Sequence, residues 1–89
     1  MEPTTIRDEF GEVTRSGIHT YGETVHVFVE RKNYKGAFMP GYVKWETEYH
    51  PTSTGLKYID HMVGNVELGA MNKWSDFYAN TMGLSLIHI

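Results

Sequence analysis

The sequence predicts an α+β fold: a β-hairpin over 12–32, a polar linker over 46–56, then a strand over 57–64 and a helix over 69–82. Three observations carry this. Two runs rich in β-branched and aromatic residues, 13–21 and 24–31, flank Gly22-Glu23, a pair suited to a tight turn. Between 46 and 56 the chain turns polar, punctuated by Pro51 and Gly55. Beyond it the apolar period changes from that of a strand to that of a helix.

Residues 1–11 read as an irregular lead ending at Gly11. In the hairpin, glycine at the first central position is what a two-residue type II′ turn requires. That turn places Tyr21 opposite Thr24, His19 opposite His26, Ile18 opposite Val27, Gly17 opposite Phe28 and Arg15 opposite Glu30. Ser16, Ile18, Thr20, Val25, Val27 and Val29 then share the core face. His19 and His26 could clamp a metal, but no carboxylate lies nearer than Glu23 and Glu30, and two surface histidines are the simpler reading. In 33–41, Tyr34 and Phe38 interleave with Gly36, Pro40 and Gly41. Without a basic surround this is packing at a module edge, not a base-stacking platform. A short extended piece over 42–45 closes a first module, 1–45, and the boundary is expected near Pro51, with His50 exposed beside it.

The second module, 57–89, opens on the strand. Alternation puts Ile59, His61 and Val63 on one face and Tyr58, Asp60 and Met62 on the other. A histidine between two aliphatics is either a satisfied core residue or a metal ligand whose second nitrogen is oriented by an acceptor. Asp60, on the opposite face, is not expected to share a metal with it. Gly64-Asn65 turns the chain. Trp74, Phe77, Tyr78, Thr81 and Met82 then recur at helical spacing, Gly83 caps the end, and the aromatic stripe is assigned to packing against a sheet. Residues 84–89 read as the start of a further strand.

Eighty-nine residues is at most one small domain, or parts of two. With 40% hydrophobic and 13% aromatic content the chain is globular. Eleven acidic against eight basic residues, with no basic cluster, argue against nucleic-acid binding. No cysteine is present, which excludes disulfides, thiolate nucleophiles and cysteine-ligated metals. No apolar run approaches the roughly 20 residues that span a bilayer, and the first ten residues lack the apolar core of a signal peptide. The expectation is a cytoplasmic protein with neither nucleic-acid nor membrane partners.

The string 58–71, Tyr-Ile-Asp-His-Met-Val-Gly-Asn-Val-Glu-Leu-Gly-Ala-Met, leads into Trp74, Phe77-Tyr78 and Met82-Gly83. It resembles the opening of the catalytic domain of the 4-hydroxyphenylpyruvate dioxygenase family. The upstream string 34–42, Tyr-Lys-Gly-Ala-Phe-Met-Pro-Gly-Tyr, resembles the end of that family's amino-terminal domain. The resemblance runs from about Asp8 to Gly83 and departs at Leu84, where an aromatic residue would be expected. It implies a piece of a longer chain built from βαβββ modules of the vicinal-oxygen-chelate type, here incomplete. It further implies one Fe(II) per intact subunit, with His61 as the first ligand, Val63 lining the substrate pocket, and the second histidine and the glutamate supplied from beyond residue 89. The implied reaction of the intact enzyme takes 4-hydroxyphenylpyruvate and dioxygen to homogentisate and carbon dioxide in tyrosine catabolism. A homo-oligomer is implied for the parent, and no activity for the 89 residues alone. Three alternatives stand beside it: a hydroxymandelate synthase segment, a non-catalytic small-molecule-binding module of the same fold, and a self-contained β-rich interaction domain.

Overall fold

The computed structural model describes residues 1–85; most of the strand expected over 84–89 lies outside them, His88 included. The chain divides into two compact units, Met1–Ser53 and Thr54–Ile89.

The first unit is a three-stranded antiparallel sheet of β1 (Thr4–Asp8), β2 (Gly11–His19) and β3 (Val25–Glu30), in the order β1-β2-β3. The expected irregular lead is in fact largely β1. Its Thr4-Thr5-Ile6 run is β-branched, and a two-residue connection, Glu9-Phe10, returns it directly onto β2 with Asp8 opposite Gly11. The side chain of Asp8 builds the turn, its Oδ1 accepting the Phe10 N–H at 2.8 Å. Gly11 follows at φ 124, a conformation closed to most side chains, with the Asn33 carbonyl oxygen where a Cβ would stand. Arg7 stands opposite Glu12 and bonds it at 2.9 Å.

The hairpin of β2 and β3 forms where expected, but one residue out of the expected register. Thr24 N–H donates to the Tyr21 carbonyl at 3.2 Å, with Gly22 at φ 61 in the first central position. Thr24 C=O, however, accepts from Thr20 N–H at 3.1 Å, so Thr20 and Tyr21 both face Thr24. This extra residue is a bulge, and it shifts the ladder beyond it by one. Ile18 now faces His26, Gly17 faces Val27, Arg15 faces Val29 and Thr14 faces Glu30. The change has an energetic reason. It gathers Ile6, Val13, Val25, Val27 and Val29 on one face, whereas the expected register set Val13 against the valines and left it with the polar set. Val13 is the one fully buried side chain among the described residues. The Arg15–Glu30 pair is lost; Glu30 bonds Lys32 instead at 3.2 Å, and an Arg15 guanidinium nitrogen lies 3.9 Å from Met39 Sδ.

Past β3 the chain folds back on the sheet. Glu12 N–H bonds Asn33 C=O at 3.2 Å, and Lys35 N–H bonds Phe10 C=O at 3.0 Å. Tyr34 is buried, meets the edge of Phe10 at 6.5 Å, and donates its hydroxyl to Asp8 Oδ2 at 2.8 Å. Burial, reinforced by that bond and by the charge of Asp8, holds the Tyr34 phenol above the usual tyrosine range. Arg31 pins the following loop, Nε donating to Phe38 C=O at 2.6 Å and Nη2 to Gly36 C=O at 3.2 Å. Within 33–41 Tyr34 is therefore a packing residue, as the sequence indicates, whereas Phe38 is exposed and meets the ring of Tyr42 at 5.1 Å. From Tyr42 to Tyr58 the chain is exposed and carries no regular element.

In the second unit, α1 (Met71–Met82) is the one helix among the described residues. Gly83, at φ 69, donates to Ala79 C=O at 3.1 Å and Leu84 to Tyr78 C=O at 3.3 Å, closing the helix as the glycine predicts. Trp74, Phe77 and Tyr78 form an edge-to-face row with centroids 5.3 and 5.2 Å apart. No residue of the helix is buried.

Candidate functional site

The residues singled out for chemistry lie in the approach to α1. The strand expected over 57–64 is not present; the segment is irregular and exposed throughout. A strand holds its shape through ladder bonds to a neighbour, and none of the three strands described pairs with it. Ile59 and Val63 are each 79% exposed, so among the described residues the apolar face expected to flank His61 is turned to solvent.

His61 is exposed too, but it is not alone. Its Nδ1 lies 2.7 Å from Asp60 Oδ2. The strand geometry that assigns these neighbours to opposite faces does not hold, and the released backbone lets Asp60 reach the ring. A carboxylate on Nδ1 favours the tautomer protonated there and leaves the Nε2 lone pair as the coordinating or proton-accepting atom. Alternation along a strand conceals this contact of Asp60 with the ring. A histidine preceded by an aspartate in a segment lacking a strand partner is the signal that could have found it. In water such a pair contributes little stability, so its value is orientation.

Among the described residues no second imidazole joins them. His19 faces Val25 and His26 faces Ile18, which puts the two on opposite faces of the sheet rather than across from each other. His50 is exposed, as expected beside Pro51. Among the described residues no three histidine, aspartate or glutamate side chains converge well enough to hold a metal ion. The residues present thus do not by themselves fit an iron centre; they offer one oriented imidazole. No helix among them is long and apolar enough to cross a membrane.

An antiparallel sheet, an irregular connection and a glycine-capped helix make this an α+β chain, consistent with an incomplete vicinal-oxygen-chelate module. No family model matches it. Whole-sequence comparison is specific. The chain is 39% identical over 89 residues to a 4-hydroxyphenylpyruvate dioxygenase of Tetrahymena thermophila, covering 90% of this chain and 21% of the relative. It is 38% identical over 87 residues to that of Yarrowia lipolytica, with 92% and 22% covered. Against that of Dictyostelium discoideum it is 47% identical over 70 residues, covering 72% and 19%. The chain is thus similar over most of its length to several 4-hydroxyphenylpyruvate dioxygenases, and spans about a fifth of the length of the curated relatives it matches.

Proposed function

We propose that these 89 residues are the stretch of an Fe(II)-dependent dioxygenase where its amino-terminal module ends and its catalytic module begins. The protein converts 4-hydroxyphenylpyruvate and dioxygen to homogentisate and carbon dioxide, the aromatic-ring step of tyrosine catabolism. The observation that supports this is the similarity to proteins of that name over about nine-tenths of the chain. In this reading 1–45 closes the first module, 46–56 links the two, and 57–89 opens the second.

The chain's own contribution is confined to what its side chains can do. His61 presents Nε2 as one iron ligand while Asp60 fixes its tautomer, and Val63 lies beside the substrate. The remaining ligands come from sequence outside these residues, so the 89-residue chain binds no iron tightly and has no activity. Iron supplies the oxidative chemistry in this class of enzyme; the protein supplies placement and exclusion of water.

The test has two parts. The complete coding sequence, expressed and loaded with Fe(II), is assayed with 4-hydroxyphenylpyruvate, and the product is identified by chromatography. Homogentisate is expected; hydroxymandelate, or no turnover by an iron-loaded protein, refutes the assignment. The 89-residue chain is titrated anaerobically with Fe(II), and stoichiometric tight binding would refute the account of its ligands.

A further inference from the structure

The loop that follows β3 is built around one of its own side chains. Arg31 C=O accepts from Tyr34 N–H at 3.1 Å and closes a first turn. The Arg31 guanidinium then lies inside the curve of the chain beyond. Nε donates to Phe38 C=O at 2.6 Å and Nη2 to Gly36 C=O at 3.2 Å, with Ala37 C=O 3.5 Å from the same nitrogen. In an extended chain consecutive carbonyls point to opposite sides. Here three in succession turn to one cation, the inverse of the backbone N–H nests that hold anions. Two rings complete the arrangement: Arg31 Cζ is 5.9 Å from the centroid of Tyr34 and 5.8 Å from that of Phe38, both within cation–π range. Glycine at 36 serves close approach. A Cβ there would stand less than 3.0 Å from the Tyr34 ring and hydroxyl, whereas a bare Cα passes the phenol and brings the first carbonyl to Arg31. Every group involved lies between 31 and 38, so the arrangement is complete within the chain described.

We propose that the carbonyls of 36–38, with the rings of Tyr34 and Phe38, form a guanidinium-binding cradle, that Arg31 is the ligand it holds, and that the cradle takes up a free guanidinium ion once that side chain is shortened. The ligand class follows from the chemistry of the donors and acceptors. Carbonyls only accept, which selects a cation rich in N–H groups. A planar, forked cation can meet several carbonyls with its edge and aromatic rings with its face, whereas ammonium is a compact point charge that does neither as well. The bound cation in turn orders the chain on either side of the cradle. Lys35 N–H is held on Phe10 C=O at 3.0 Å, and Tyr42 N–H on Met39 C=O at 3.0 Å. Arg31 is therefore a positioning residue for the end of the first unit. The proposal is independent of the iron chemistry.

The test is hydrogen exchange in the protein expressed from its complete coding sequence, read by mass spectrometry on peptides spanning 32–42. Arg31→Ala should speed exchange of the Lys35 and Tyr42 amides at least about tenfold. Guanidinium chloride at about 20 mM, far below the concentrations at which it unfolds small proteins, should restore most of that protection. Urea has the planar shape without the charge, and ammonium chloride the charge without the fork; at the same concentration neither should restore it. Arg31→Lys keeps the charge and the apolar stem, so it decides the matter if the alanine variant does not fold. It should still exchange at least about threefold faster than the parent at both amides. Exchange in Arg31→Lys equal to that of the parent, no rescue of a folded Arg31→Ala by guanidinium, or equal rescue by ammonium or urea would overturn the proposal.

Discussion

Replacing Gly11 by alanine should be far more damaging than replacing Gly22, although both sit at positive φ. At Gly22, φ 61 and with open space around it, alanine meets no atom within 4 Å. The cost is the conformational preference alone, about 1 kcal/mol. At Gly11, φ 124, the new methyl lands closer to the Asn33 carbonyl oxygen than the 3.0 Å that real Cβ atoms essentially never cross, and 3.3 Å from Tyr34 Cα. These neighbours are backbone, not the far end of a flexible side chain, so they yield only by displacing 33–34. Moving Asn33 breaks the bond it accepts from Glu12 N–H and loosens the bridge between Gly11 and Tyr34. Strain of roughly 2 kcal/mol with about 1 kcal/mol for the bond gives a cost of about 3 kcal/mol. Urea denaturation followed by the sheet's circular dichroism measures both variants against the parent. A difference of about 2 kcal/mol is expected, equivalent to a further loss of roughly 8–16 °C in Tm for a chain of this size. If the two variants fall within about 0.5 kcal/mol of each other, the close approach of 33–34 to Gly11 is wrong, whatever the total.

Val13→Ala, at the one fully buried side chain described, should lower the stability of the sheet by about 2 kcal/mol in the same assay, from lost transfer energy and the cavity left behind. Tyr34 should ionise above the ordinary tyrosine range in an ultraviolet pH titration. A raised pKa means the folded state keeps its proton longer than the unfolded one, so this contribution is complete below pH 10.0, the unperturbed tyrosine value, and is lost as pH rises through the folded value; Tyr34→Phe should remove that alkaline loss. In hydrogen exchange, the amides of 58–63 should exchange at close to unprotected rates while those of Ile18 and Ser16 are protected; strong protection of 58–63 would show that the segment has a ladder partner after all. In the complete iron-loaded protein, Asp60→Asn should weaken iron affinity by roughly 10-fold, while His61→Ala should abolish tight binding, both read by anaerobic titration.

The parts of the fold that could be read from sequence are those specified by neighbours along the chain. Gly83 announces its helix end because a left-handed residue there completes bonds to Ala79 and Tyr78 within a single turn. Gly22 announces its turn for the same reason. What escaped is set by residues distant in sequence or by competition between two local rules. The turn rule at Gly22 and the demand that Val13 share a face with Val25, Val27 and Val29 cannot both be met by a regular ladder, and the bulge at Thr20–Tyr21 satisfies both. Strand β1 escaped because its cue is the side chain of Asp8, which serves the turn through Oδ1 and Tyr34, 26 residues on, through Oδ2.

The same distinction explains why the similarity of this chain to its relatives is plainer in its sequence than in its geometry. β1, β2 and β3 are joined by short connections, so each strand finds its partner at little cost in loop closure. The string 58–63 is as rich in β-forming side chains, yet it is preceded by an exposed connection and followed by a helix, with no short turn to a neighbouring strand on either side. Without that pairing its apolar residues stay in water and its backbone bonds to solvent. The imidazole of His61 nevertheless keeps one feature a ligand needs, because the carboxylate that orients it is the adjacent residue and depends on no distant strand. The contact between Asp60 and His61 is thus written locally, whereas burial of that ring would need residues distant in sequence. A local string can therefore carry a clear sequence similarity while the geometry around its histidine stays open to solvent.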